Sequence, residues 1–167
     1  MHLAGCQRRH HRLAYDGRDT ASSDSDFAIE VGIFDRNSST TVVAGTSATI
    51  TDSDPLDGKS RFVDIVDVFL GIGQYSIVAR GYSNANKNGN ANFGGTPPTI
   101  NDGGGLISFV GDSRFGGPSS TLSFPTTVDG GPANRYDAGT FEFVSVPVPS
   151  SLALMGLGFL MLSRRLS

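Results

Sequence analysis

Few residues in this chain have the types and spacing that chemistry requires, and each such set has a plainer alternative. Asp52, Asp54 and Asp57, followed by Gly58, place three carboxylates within seven residues. Ca²⁺ takes oxygen ligands of this kind, but the regular twelve-residue loop needs them at alternate positions, with Gly sixth and Glu twelfth. Here the third Asp falls one place late, Gly58 is seventh and Val63 is twelfth. The pattern therefore suits an irregular Ca²⁺ site or, more simply, a solvated turn. Asp64 and Asp67 invite comparison with the paired carboxylates of glycoside hydrolysis. Their odd spacing on an unbroken strand sends them to opposite faces, so the expectation is that they guard an edge strand against pairing with other chains. Gly111-Asp112-Ser113 spells part of a serine-hydrolase signature, yet a serine nucleophile needs a base, and no histidine follows His11. His2, His10 and His11 sit in a basic start and are read as solvated rather than metal-binding. No catalytic residue is assigned, no cofactor is expected, and the chain is read as a non-enzyme.

One stretch has the composition of a binding surface. Residues 83–105 lose all periodicity and hold Asn84, Asn86, Asn88, Asn90 and Asn92, two adjacent prolines and Gly103-Gly104-Gly105. Asn amides hydrogen-bond sugar hydroxyls, and Tyr75, Tyr82 and Phe93 could stack on pyranose rings. Tyr82, Asn84, Asn86, Asn88 and Phe93 are thus candidate glycan contacts, and a carbohydrate-binding or adhesin module is the alternative function. A solvated surface loop has the same composition.

These candidates depend on the elements that would hold them. The chain has 167 residues, 22 of them Gly, with no Trp and only two Glu, Glu30 and Glu142. Such a composition is poor in helix formers and rich in turn formers, which favours many short strands. Alternation marks Phe27–Phe34, with Phe27, Ile29, Val31 and Ile33 on one face, and β-branched runs mark Thr40–Val43 and Ser47–Thr51. Arg61–Leu70 is largely apolar, and Gln74–Tyr82 alternates with Tyr75, Ile77 and Ala79 inward. Further strands are expected at Leu106–Val110, Thr121–Phe124 and Thr140–Val146, separated by Gly-Pro turns. The fold class that follows is all-β, a small antiparallel β-sandwich or jelly-roll-like domain over residues 27–146 with a long loop at 83–105. Residues 1–26 read as an unstructured or mis-started N-terminus. They contain no apolar run long enough for a signal peptide, so the chain is expected to be a fragment or to have its start misplaced.

Charge narrows the partners. The whole chain carries a net −3, but residues 21–149 hold fourteen acids against seven bases. An acidic body repels phosphate backbones, so nucleic acid is not an expected partner. Cys6 is the sole cysteine, so no disulfide can form within the chain.

After Val146 the composition switches. Pro147-Val148-Pro149 is followed by Ser150-Ser151, then by Leu152, Ala153, Leu154, Met155, Gly156, Leu157, Gly158, Phe159, Leu160, Met161 and Leu162, and then by Ser163 and the pair Arg164-Arg165. The prolines end the last strand, the apolar stretch has no polar face, and the arginines favour the cytoplasmic side of a membrane. Eleven apolar residues cover roughly 16 Å as a helix, short of a hydrocarbon core of about 30 Å. Counting from Val146 to Ser163 brings the segment nearer a span, with the arginines snorkelling.

The order of proline motif, short Gly-containing apolar stretch and terminal arginines resembles a PEP-CTERM sorting signal, with Val148 where that family most often has Glu. The match covers about twenty residues, 146–165. The resemblance implies export from a Gram-negative cell, anchoring of a C-terminal hydrophobic helix in the inner membrane, and recognition by an exosortase-type membrane protease. It also implies a final place at the cell surface or in the extracellular matrix, with exopolysaccharide as the associated partner of biofilm-forming bacteria. The body is loosely similar to β-rich domains found with such tails, through Val31–Asp35, Leu70–Tyr75 and Ala138–Phe143.

Overall fold

A computed structural model describes residues 2–3, 7–16, 28–37, 40–58, 60–83, 88–90, 101–109, 113–131 and 136–146. Thirteen strands occur in these residues and no helix. In chain order they are β1 (His2–Leu3), β2 (Gln7–Asp16), β3 (Ala28–Asp35), β4 (Thr41–Thr51), β5 (Leu56–Asp57), β6 (Ser60–Leu70) and β7 (Gly73–Arg80). The remainder are β8 (Gly89–Asn90), β9 (Ile107–Ser108), β10 (Arg114–Phe115), β11 (Thr127–Val128), β12 (Tyr136–Asp137) and β13 (Thr140–Val146). One sheet runs β4-β3-β7-β1-β9 and a second runs β13-β2-β6-β5, while β10-β11 and β12-β8 are two-stranded ribbons. Every pairing is antiparallel.

The core forms where the alternating runs of the two sheets meet. Ile29, Val31 and Ile33 of β3 are fully buried, as is Ile50 of β4, and each such side chain is worth about 1.5–3 kcal/mol of transfer free energy. Tyr75 and Ile107 join them from the first sheet and Leu70 from the second, with Val63, Ile65, Val68, Phe141 and Phe143 packed against the cluster. The inward positions expected on β3 and β7 are those observed, Phe27 lying outside the described residues. Burial holds the Tyr75 hydroxyl above its usual value near 10, and the Asp35 carboxylate adds to the effect. The unfolded chain gives up this proton first as pH rises, so the group's contribution to stability is complete below about pH 10 and is lost above it. Melting temperatures measured between pH 8 and 11 should fall on the alkaline side, and Tyr75→Phe should flatten that limb; an unchanged limb in the variant would assign the loss to another group.

The structure corrects several sequence expectations. Within 1–26, read as unstructured, His2–Leu3 pairs with both β7 and β9, and Gln7–Asp16 forms an interior strand between β6 and β13. The register explains how so charged a segment is accommodated: Arg12 stands opposite Asp64 on one side and Glu142 on the other. Thr40–Val43 and Ser47–Thr51 are parts of one strand, β4, which turns through Gly45 at φ +80°. Gly32 pairs with Ser47 and Phe34 with Val42, leaving Ile33 opposite a bulge of four residues. Leu106–Val110 contracts to Ile107–Ser108, and the loop 83–105 contains β8, paired with β12.

Thr121–Phe124 is not a strand. It lies in the connection between β10 and β11, and its apolar residues cover the outer face of the first sheet. A Cβ on Gly32 would lie 2.8 Å from Leu122 Cδ2, and the Phe124 ring sits 6.0 Å from that of Phe34, tilted by 51°. Asp64 and Asp67 were expected on opposite faces of β6. The register with β2 slips between them, three residues of β6 (65–67) standing against His11 alone. Val63 before the slip, Ile65 at its start, and Val68 and Leu70 after it all turn to the core, so both aspartates come to the exposed side.

Candidate functional site

The described chain ends at Val146, the last residue of β13, immediately before the proline motif. Pro147, Val148, Pro149, the segment 152–162, Arg164 and Arg165 lie outside the described residues, and so does the expected terminal helix. What the structure establishes is the platform from which they depart. Among the described residues β13 is an edge strand, paired on one side only, with β2. Its Phe141 and Phe143 reach the core with ring centroids 5.9 Å apart, while Glu142 and Val144 face outward. The strand's end is therefore held by packing in addition to its ladder.

The departure point is bordered by a rigid turn. Leu70 ends β6 and Gly73 begins β7, so Gly71 and Ile72 carry the chain from one sheet to the other. Asn37 Oδ1 accepts the Gln74 N–H at 2.8 Å, and the Arg36 N–H donates to the Gln74 carbonyl at 2.9 Å. Asp35 Oδ1 accepts from the backbone and the side chain of Asn37, both at 2.7 Å. Tyr75 donates its hydroxyl to the Gly71 carbonyl at 3.3 Å. These bonds tie the end of β3 to the start of β7, and β7 to the turn that leads out of β6, at the end where Val146 stands opposite Gln7.

The candidate metal ligands occupy the opposite end. Asp54 Oδ2 accepts from the Thr51 N–H at 2.7 Å and from Thr51 Oγ1 at 3.0 Å, while the Asp54 carbonyl accepts from Arg61 Nη1 at 2.8 Å. Asp54 is thus committed to closing the turn into the short β5–β6 pairing. Asp52 and Asp57 are exposed. Among the described residues no three acidic, histidine or cysteine side chains gather as metal ligands would. The three aspartates share a turn without converging on one point.

The glycan candidates divide. Asn84, Asn86 and Phe93 lie outside the described residues. Tyr82 is half-buried against the core and donates its hydroxyl to the Ala138 carbonyl, which roots the start of the loop to the segment entering β13. Asn88 is half-buried beside β8. Ser113 uses its backbone carbonyl to accept the Asp129 N–H at 2.9 Å, closing the β10–β11 ribbon. His2 and the pair His10, His11 stand on strands of different sheets.

Two groupings escaped the sequence reading. The guanidinium carbons of Arg36 and Arg114 lie 5.4 and 5.7 Å from the Phe124 ring centroid, a cation–π arrangement that clasps the 119–125 connection to the sheet. The prolines at 118 and 125 were its only sequence signal. The second grouping is Gln7–Arg9 beside Ser145–Val146, signalled only by ten residues of β2 without a Gly or Pro. Comparison with protein-family models, with curated proteins and with solved structures finds no match to this chain.

Proposed function

We propose that this chain is an exported, non-catalytic protein of the bacterial cell surface or extracellular matrix, sorted through its terminal segment. In this reading the two antiparallel sheets form a sandwich, jelly-roll-like in its strand crossings. The apolar stretch 152–162 forms a short membrane helix stopped by Arg164 and Arg165. The observation that carries the proposal is the three-part tail of Pro147-Val148-Pro149, apolar run and paired arginines, placed directly after the last strand. The packed body supports it, because a domain that folds on the strands up to Val146 leaves the tail available to membrane and protease. Exosortase recognition follows from the resemblance of the tail, and exopolysaccharide is the proposed neighbour after release.

The test is maturation in cells. The chain, carrying an export leader, is produced in a bacterium that has an exosortase and in one that lacks it. The expected result is a surface-associated product shortened at the proline motif in the first host and a full-length, membrane-held precursor in the second. Pro147→Ala with Pro149→Ala should leave at least half of the protein as precursor. Products of identical mass in both hosts would refute exosortase processing.

A further inference from the structure

Among the described residues β4 bounds the first sheet and pairs with β3 alone. The direction of its backbone groups follows from the bonds on either side of β3. Ile33 meets the Thr46 hydroxyl with both its N–H and its carbonyl, on the β4 side. The Arg36 N–H, three residues on, reaches the Gln74 carbonyl on the β7 side. Odd-numbered residues of β3 therefore bond to β4, so Ile29 exchanges bonds with Ile50, and Val31 with Ala48. Ser47, Thr49 and Thr51 alternate with these and point their N–H and C=O groups out of the sheet. At Thr51 the opening is closed. Asp54 Oδ2 accepts the Thr51 N–H at 2.7 Å, and the Thr51 carbonyl accepts the Asp54 N–H at 3.2 Å. At the other end the bulge and Gly45, at φ +80°, bend the strand off a straight course. Ser47 and Thr49 remain between these limits, both exposed.

Natural sheet edges are ordinarily guarded by charge or proline, and Thr41–Thr51 holds neither. The other described edges differ: β13 carries Glu142, and β5 and β9 are two residues long. We propose that β4 pairs antiparallel with β4 of a second copy of this chain, about a two-fold axis through Ala48. In that register Ser47 of each copy faces Thr49 of the other. Each facing pair exchanges two hydrogen bonds, which together use every outward N–H and C=O of Ser47 and Thr49 in both copies. An axis through Thr49 would instead set Ser47 against the capped Thr51 and keep only half of those bonds. Ala48 meets its own equivalent at the axis as a close pair without hydrogen bonds, about 4.5 Å between Cα atoms, where a small side chain fits. The Ser47 and Thr49 hydroxyls lie side by side across the junction, a pairing that stabilises sheets. No charge stands opposite its own kind. Because the patch faces itself, the contact closes at two copies and joins their first sheets into one.

Oxidative cross-linking of the full chain in detergent micelles tests the register, with Cys6→Ser removing the natural thiol. Ala48→Cys should be captured as a disulfide dimer, because the close pair at the axis falls within the Cα separation of about 4.4–6.8 Å that a disulfide spans. Ala44→Cys is exposed on the same strand but lies beyond the straight segment, away from the axis, and should give at least about five-fold less dimer. Association through the tail alone would oxidise both thiols alike or neither, and either result overturns the proposal. Thr49→Pro removes an N–H that points away from β3, a place where an edge strand tolerates proline. Two bonds across the axis are lost with it, each worth roughly two- to ten-fold in association, so the Ala48→Cys dimer should fall at least about five-fold. Thr49→Lys, which leaves the backbone intact and brings an ammonium group from each copy to the junction, should lower it as well. A dimer undiminished by both substitutions overturns the proposal, and so does a loss seen with proline alone, since the effect would then be one of folding.

Discussion

Gly81→Ala should lower the melting temperature by at least about 10 °C or abolish folding, the largest effect expected of any single methyl group in this protein. Gly81 follows β7 at φ +100°, a backbone region that residues with a Cβ adopt at a cost of roughly 1–2 kcal/mol. Space is shorter still than conformation. A Cβ built there would lie 2.3 Å from the Ala28 carbonyl oxygen, and the clashing atom belongs to the backbone of β3, which cannot rotate away as a side chain would. Relief requires parting β7 from β3 next to the Glu30–Arg80 pair, or freeing Tyr82 from the Ala138 carbonyl. Together these effects come to about 3–4 kcal/mol, a large part of the 5–15 kcal/mol typical of a folded domain. Gly117→Ala is the matched control: a Cβ there meets nothing within 4 Å, and the expected change is within about 0.5 kcal/mol. Thermal melts of the two variants side by side decide the matter. Equal stability would show that the approach of Gly81 to Ala28 does not constrain the fold.

Thr46→Val should cost about 2–4 kcal/mol, far more than exchange of a hydroxyl for a methyl on a surface strand. Thr46 is fully buried, the one such polar residue among those described. It stands at the β4 bulge, where the partner strand cannot supply ladder bonds to Ile33. The Thr46 hydroxyl supplies them: Oγ1 accepts the Ile33 N–H at 3.2 Å and can give its proton to the Val43 carbonyl at 2.8 Å or the Ile33 carbonyl at 3.2 Å. Valine matches the shape and leaves those backbone groups buried without a partner, each at a cost of about 1–3 kcal/mol. Thr46→Ser keeps the oxygen and should lose only about 1 kcal/mol. Chemical denaturation that ranks valine above serine in stability would refute this account of the bulge.

The same bulges show why part of the molecule could be read from residues and part could not. β3, β7 and β13 were legible because one face of each strand meets the core without interruption, so that burial writes an alternation of period two into the sequence. β6 carries the same signal at both ends, but a slip of register between them reverses which residues face inward. No residue type marks that slip, and the faces of Asp64 and Asp67 were misjudged for that reason. β2 was missed because its place is set by its neighbours: a strand whose Arg12 lies in register between Asp64 and Glu142 needs little apolar patterning of its own. Leu122 and Phe124 produced the opposite error. Their alternation is real, yet it reflects a proline-bracketed connection laid across the outside of a sheet, where side chains also point alternately toward and away from a surface. For the candidate site, the proline motif, apolar run and arginine pair are features of composition alone, whereas the place of Val146 opposite Gln7 depends on a pairing between segments far apart in the chain.

The claim beneath this account is that everything beyond Val146 acts as a lipid-seeking segment appended to a self-sufficient strand-built body. Carbonate extraction of membranes from cells producing either the full chain or a chain ending at Val146 measures it most directly. The account predicts that the full chain stays with the membrane pellet while the shorter one is released quantitatively, with an unchanged melting temperature after purification. Equal retention of both in the pellet would contradict it.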